Sequence, residues 1–452
     1  MKELLPIVSF VAGATTLAFL YGAASVQFKL FPYPVWQNAI EAAAALSKEE
    51  TIDRSPDDLH VYSRQYPQGG VTTNNPNRAF QGYTLLTAYT GEKCTNLLVD
   101  MEGKVVNEWY IKFSEVWGKA PFLRQQLGDE FSCWQGTHLM PNGDLIASFI
   151  DNGTPACGGT VRLDRHSKLV WAMPACTHHD VHLGADGLLY LPGMRYEEKT
   201  LFRLQMPNRF PGRFHNGERY VWEPPVLSET IVVASPDGKP MQEISILDAL
   251  ARSDYRGLFS VNWKEDLGIG QTYDPTHLNN VDYITAEWAD RHPNFAEEGD
   301  LMVSLRNIST LAILDRNTHQ VKWALNGPFI RQHDPDLLPN GNILLFDNWG
   351  GPAQLGGTRA IELDPQTQQI VWEYAGTSER PLYSEFRGSQ QPLPNGNVLI
   401  TESTGGRILE VSRDKEIVWE YVNKLDNREG ESVVGAVIEA QRYSPDDVAF
   451  LN

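Results

Sequence analysis

The sequence predicts an all-β chain: a six-bladed β-propeller with an N-terminal transmembrane helix and a short helical linker. Three observations carry this. A turn recurs at Asn142-Gly143-Asp144, Asp186-Gly187, Asn340-Gly341-Asn342 and Asn395-Gly396-Asn397, each time followed by an apolar strand. A strand pair ending in tryptophan recurs at Trp109, Trp171, Trp323, Trp372 and Trp419. The third is an uncharged apolar run, Leu4 to Val26, at the start.

Composition narrows the classes. A chain of 452 residues, 42% hydrophobic, can bury a sizeable core. The 37 Gly and 12 Trp favour short strands and tight turns over long helices. A formal net charge of -19 repels phosphate backbones, so no nucleic acid partner is expected. Cys94, Cys133, Cys157 and Cys176 show no CxxC spacing, which argues against zinc. In an oxidising compartment they allow one or two disulfides, with all three full pairings open.

Taken in order, residues 1–30 are expected to form the anchor. The apolar run meets the roughly 20 residues a bilayer-spanning helix needs. A signal peptide with Gly22-Ala23-Ala24 at its cleavage site is the rival, but its apolar core is usually only about 7–15 residues long. Lys2 and Lys29 leave orientation undecided. Residues 31–78 are expected to be helix and strap. Phe31-Pro32-Tyr33-Pro34 breaks the first helix, Val35 to Glu50 is Ala-rich, and the stretch up to Arg78 is rich in Asp, Pro, Gly and Asn.

Residues 79–452 are expected to form the propeller. Six units begin near Tyr83, Gln135, His179, His277, His333 and Arg387, each with four antiparallel strands. Such a unit cannot bury both sheet faces alone; stacking around an axis does so, with the tryptophans packing between neighbours. The segment VVGAVIEAQRYSPDDVAFL is placed to close the ring. One insertion, Arg195 to Tyr220, is basic and aromatic in an acidic chain; it reads as a solvated insertion or a contact for anionic lipid or a partner.

Aligning the units on their turns exposes a constellation. His333-Asp334 lies seven and six residues before Asn340, and His179-Asp180 seven and six before Asp186. The fourth unit opens similarly with His277-Leu278-Asn279, and Arg387-Gly388 opens the last. Inner strands of a propeller start at one mouth of its channel, so His179, His277 and His333 should converge, with Asn279 and Arg387 nearby. His138 and His182 should sit deeper. Three chemistries fit such a cluster: a transition-metal site, a nucleophile with acid/base partners, or a polar water-filled channel. No HExxH, dense carboxylate set, GxSxG elbow, P-loop or Rossmann fingerprint is present. Metal therefore ranks below nucleophile, and no cofactor is expected.

At these motifs the chain resembles the bacterial arylsulfate sulfotransferases, six-bladed periplasmic propeller enzymes that work without PAPS. The resemblance runs over roughly residues 81–421. It is strongest in HLNNVDYI followed by DLMVSLRNISTLAILD, where the family's His-x-Asn and Ser-x-Arg fall on His277, Asn279 and Arg306. The segment QHDPDLLPNGNILLFDN carries the counterpart of the transiently sulfated histidine, His333, and HHDVHL resembles the stretch with a substrate-binding histidine, best matched by His179 and less well by His178. The insert EWADRHPNFAEEG lengthens the spacing from His277 to Arg306. The resemblance implies that His333 attacks the sulfur of an aryl sulfate and passes the sulfo group to a phenol. His179, His277, Asn279 and Arg306 would hold the sulfonate, with Asp334 and Arg387 behind them.

Two functional readings follow. The first is a membrane-anchored aryl sulfotransferase with its propeller in the periplasm or otherwise outside the cytoplasm, acting on small phenolic and aryl sulfate substrates. The second is a catalytically silent propeller serving as a binding or assembly subunit of a membrane complex, or forming a homo-oligomer.

Overall fold

Each turn read from the sequence closes an inner hairpin by the same device. In the computed structural model, Asn142, Asp186, Asn340 and Asn395 each accept a hydrogen bond at the side-chain oxygen from the backbone N–H two residues on, at 2.9–3.1 Å. The glycine that follows takes a left-handed φ of 79–92° and donates its N–H three residues back. This is a type I turn with a glycine bulge, which explains why Pro339 precedes Asn340. The structure describes residues 4–28, 31, 55–64, 66–150, 153–154, 156–197, 214–215, 218–219, 226–260, 274–425 and 432–451.

Six antiparallel blades result. From the innermost strand outward, blade 1 is Val437–Tyr443, Tyr83–Tyr89, Cys94–Val99 and Val105–Trp109. Blade 2 is Cys133–Leu139, Leu145–Ile150, Thr160–Leu163 and Leu169–Met173. Blade 3 is His182–Leu183, Leu189–Glu197, Val226–Ala234 and Pro240–Ser245. Blade 4 is Leu278–Tyr283, Leu301–Leu305, Thr310–Leu314 and Val321–Asn326. Blade 5 is His333–Leu337, Ile343–Asp347, Arg359–Asp364 and Gln369–Tyr374. Blade 6 is Ser389–Pro392, Val398–Glu402, Arg407–Val411 and Ile417–Val422.

The ring is closed twice. The C-terminal strand Val437–Tyr443 supplies the innermost strand of blade 1, as the final segment suggested, so Tyr83 opens the second strand of that blade and not its first. The strap adds Gly70–Asn74 to the outer edge of blade 6, giving that blade five strands where four were expected. Both additions remove exposed sheet edges at the point where the chain begins and ends its circuit.

The tryptophans lock the seams. Trp109, Trp171, Trp372 and Trp419, on the fourth strands of their blades, donate their indole N–H to Gly143, Pro236, Arg413 and Met101, carbonyls in turns of the next blade, at 3.0–3.2 Å. Trp323 instead stacks on Phe295 at 5.1 Å. The apolar core is correspondingly divided: six clusters of buried side chains each occupy one inter-blade seam. Disulfides Cys94–Cys133 and Cys157–Cys176 select one of the three pairings, the first tying blade 1 to blade 2.

The chain divides into two compact units, Met1–Ser55 and Pro56–Asn452. In the first, an α-helix forms over Leu4–Phe28, with Phe10, Leu17, Phe19 and Leu20 exposed. Among the described residues no helix is long and apolar enough to cross a membrane. The Ala-rich stretch Val35 to Glu50 lies outside the described residues. So does most of the basic insertion, apart from the end of Leu189–Glu197 and a hairpin of Phe214–His215 with Glu218–Arg219. In the second unit the described helices are short: Pro56–His60, Phe113–Trp117, Ile246–Ala251 and Ala286–Ala289.

Candidate active site

The backbone at the start of the inner strands is turned out of the sheet. His179 and His277 have left-handed φ of 60° and 52°, as do Asp334 at 50° and Arg387 at 59°. Residues with a Cβ adopt this conformation uncommonly, and here it recurs at or near the start of the inner strand in blades 3 to 6. The turn aims imidazoles from three blades at one place. The rings of His179 and His277 lie 5.0 Å apart, and those of His179 and His333 6.5 Å apart.

Each imidazole has a defined partner. Nδ1 of His333 lies 2.7 Å from Oδ1 of Asn348. The amide nitrogen of Asn348 donates to the carbonyls of Ser384 and Arg387 at 2.9 and 2.7 Å, so its oxygen must face the ring. His333 is therefore protonated on Nδ1, and Nε2 carries the lone pair. Nδ1 of His277 lies 2.6 Å from Asp274, which also accepts the His277 backbone N–H at 3.0 Å. Nδ1 of His179 lies 2.7 Å from Nδ1 of His178, whose Nε2 is 3.1 Å from Glu229.

Burial keeps the rings of His333, His178 and His179 neutral. It pushes His333 down to about 3, helped by the positive charge of Arg306, and pushes His178 down to about 3. His179 is held well below the usual range by burial and by its histidine neighbours. A neutral, Nδ1-protonated imidazole with a lone pair on Nε2 is a nucleophile across the physiological range.

His179, Asn279, His333 and Asp334 share a small cavity with Gln135, Asp180, Ser389 and Glu439. Its carboxyl groups are shifted upward. Burial raises Asp180 to about 7 and Glu439 to about 8, and Asp334 and Asp336 lie well above the usual range, burial first and neighbouring carboxylates next. Deeper in the channel, His182 pairs with Asp282 at 3.0 Å.

The other residues singled out from sequence occupy second positions. Asn279 donates to the Gln332 carbonyl at 2.8 Å, and its buried side-chain oxygen has no hydrogen-bond partner. Arg306 bonds Asn307 at 2.8 Å and acts on His333 through its charge. Asp334 accepts the Gln390 N–H at 3.1 Å, so the group orienting His333 is Asn348. Arg387 holds Asn348 through its carbonyl. Sequence reasoning gave His178 only as a weaker match than His179, and missed Asn348, Asp274 and Glu229. The doublet His178-His179 and the Asp three residues before His277 were visible signals; Glu229 had none.

The metal-ligating groups among the described residues are two. His60 clusters with Cys94 and Cys133, but both cysteines are in a disulfide. Glu229, Asp274 and His277 each offer one ligand atom within 4.8 Å of the others.

With this geometry in place, comparison with known proteins gives one family. Residues 214–424 match the arylsulfotransferase (ASST) family. The matched span contains His277, Asn279, Arg306, His333 and Arg387, and begins after His179. No curated protein matches the chain. Similar solved structures include a protein of unknown function from Bacteroides caccae, at 13% identity, 78% of this chain, 99% of that chain and a TM-score of 0.44. Another is a catalytically inactive virginiamycin B lyase from Staphylococcus aureus with quinupristin, at 10% identity, 82% of this chain, 97% of that chain and a TM-score of 0.39. No reaction is inferred from either.

Proposed function

We propose that this propeller is an aryl sulfotransferase that moves a sulfo group from an aryl sulfate to a phenol through a sulfohistidine on His333. The observation that carries the reading is the fixed tautomer of His333. Asn348 holds the proton on Nδ1, so the Nε2 lone pair needs no prior deprotonation to attack.

In the first half-reaction Nε2 attacks sulfur, the bond from sulfur to the aryl oxygen breaks, and the phenolate leaves with the electron pair. The sulfated ring keeps its Nδ1 proton and becomes cationic, which the Asn348 oxygen stabilises. In the second, an acceptor phenol attacks sulfur, loses its proton to a neighbouring histidine, and the N–S bond electrons return to Nε2. Asp274 occupies Nδ1 of His277, leaving Nε2 of that ring to exchange the phenolic proton. Arg306 supplies positive charge near the sulfonate, and His179 completes the wall.

The reading includes attachment to a membrane through Leu4 to Val26, with the propeller outside the cytoplasm. Exposed Phe10, Leu17, Phe19 and Leu20 support the attachment, and four cysteines in two disulfides support an oxidising compartment. Purified protein should release the phenol from a chromogenic aryl sulfate in proportion to added acceptor phenol. Absence of release with every acceptor would put the silent-subunit reading in front.

A further inference from the structure

We propose that Glu229, Asp274 and His277 form a divalent transition-metal site at the seam between blades 3 and 4, best suited to Zn²⁺. Glu229 lies on Val226–Ala234, the third strand of blade 3, while Asp274 and His277 precede the first strand of blade 4. One ligand atom from each falls within 4.8 Å of the other two.

The second observation is an orphan. Glu229 is 0% exposed, yet its Oε1 has no hydrogen-bond partner; the other oxygen faces His178 at 3.1 Å. Asp274 is 8% exposed and stands beside it. A buried carboxylate oxygen with no donor is costly, and a second carboxylate nearby makes it more so. No lysine or arginine is bonded to either carboxylate among the described residues. A divalent cation would neutralise the two carboxylates and fill the orphan lone pair.

The donor set fits zinc-class ions. Two carboxylate oxygens and one imidazole nitrogen are borderline ligands, and three protein ligands leave a fourth position for water or for His178. Calcium needs six to eight oxygens, more than are gathered here. Metal entry displaces the proton on Nδ1 of His277 and widens the 2.6 Å gap to Asp274 to about 3.3 Å, the ligand spacing of a tetrahedral site with bonds near 2.0 Å. A site built from carboxylates and histidine needs no CxxC pair. The site goes beyond the sulfotransferase reading and holds whether or not that reaction occurs.

The test is binding, read without any sulfate ester. Full-length protein without a histidine tag is stripped with a chelator and titrated with Zn²⁺ by calorimetry, and with Co²⁺ by visible absorption. One ion per chain is expected. Glu229→Gln, Asp274→Asn and His277→Gln should each weaken binding about tenfold or more. Asp336→Asn, a channel carboxylate outside the set, should bind as the parent does. Circular dichroism identifies any variant that fails to fold, and the folded ones decide. Sub-stoichiometric binding by the parent overturns the site, as does parental affinity in the folded variants.

Discussion

His333 and Asn348 are joined by a hydrogen bond of 2.7 Å whose direction is not free. Asn348 spends both amide hydrogens on the carbonyls of Ser384 and Arg387, which belong to the connection into blade 6. Blade 6 therefore fixes the amide, the amide fixes the tautomer, and the tautomer gives the proposed nucleophile its lone pair. Sequence distance between the parts is irrelevant once the blades are stacked.

Replacing Asn348 should separate orientation from binding. Asn348→Ala leaves Nδ1 without its acceptor, and kcat should fall roughly 10- to 100-fold with KM nearly unchanged, as for other residues that hold a catalytic ring. Asn348→Asp supplies an anionic acceptor. A carboxylate raises the folded pKa of an imidazole, here from about 3 upward, and a protonated His333 cannot attack. The acid limb of kcat should therefore move to higher pH in this variant. A limb that stays in place would show that His333 does not set it.

The carboxyls of the cavity predict the opposite limb. Burial raises Glu439 from 4.5 to about 8, with the charge of Asp180 contributing, so it is mostly neutral at pH 7. Ionisation above that value places negative charge in a cavity proposed to receive an anionic sulfate ester. KM for the donor should rise as pH climbs through about 8, and Glu439→Gln should flatten the rise. A carboxyl with a raised folded pKa also contributes stability that is present below 4.5 and lost as pH rises through about 8. The melting temperature of the parent should fall over that window more than that of Glu439→Gln.

The repeat was legible because its physics is local. A glycine in a left-handed turn and an indole at a strand end leave marks in sequence at fixed offsets, and Gly143, Gly341, Gly396, Trp109 and Trp419 show them. The three histidines were legible because equivalent positions in stacked blades must meet. The groups that orient them were not. Asn348 follows the second strand of blade 5 and reads as a turn residue, and its role depends on carbonyls of the next blade. Glu229 sits mid-strand, where its alternation resembles any other polar position. The fifth strand of blade 6 was hidden because Gly70–Asn74 has no apolar alternation; the open edge of Ile417–Val422 recruits it through backbone hydrogen bonds.

The indole bonds predict where stability resides. Trp419 is 0% exposed and donates to Met101 across the seam where the ring closes. Trp419→Phe leaves that carbonyl only the 3.3 Å bond from the Asn74 side-chain amide and should cost roughly 1–2 kcal/mol in urea unfolding. Trp372 makes the same bond to Arg413 at a wetter position, where water can replace the donor. Trp372→Phe should cost less than about 1 kcal/mol. Equal losses would mean that ring bulk, and not the N–H, carries the seam.

The sulfohistidine itself offers the sharpest test. Protein exposed to an aryl sulfate without acceptor and then quenched should carry one sulfonate on the peptide containing His333, seen by mass spectrometry under conditions that preserve the N–S bond. His333→Ala should lose both the adduct and transfer while melting near the parent temperature, because the ring contributes to the channel mouth and not to an inter-blade cluster. Arg306→Ala should keep the adduct site but slow its formation about 100- to 1000-fold, the usual loss for one charge-stabilising donor. With Arg306 gone, His333 also loses the positive charge that helps hold its pKa down, so its acid limb should shift upward as well. An adduct on His277 would move the nucleophile to blade 4, where Asp274 and not Asn348 holds Nδ1, and the attacking ring would then be the one whose partner is a carboxylate. An unmodified protein together with an active His333→Ala variant would rule out covalent transfer through blade 5.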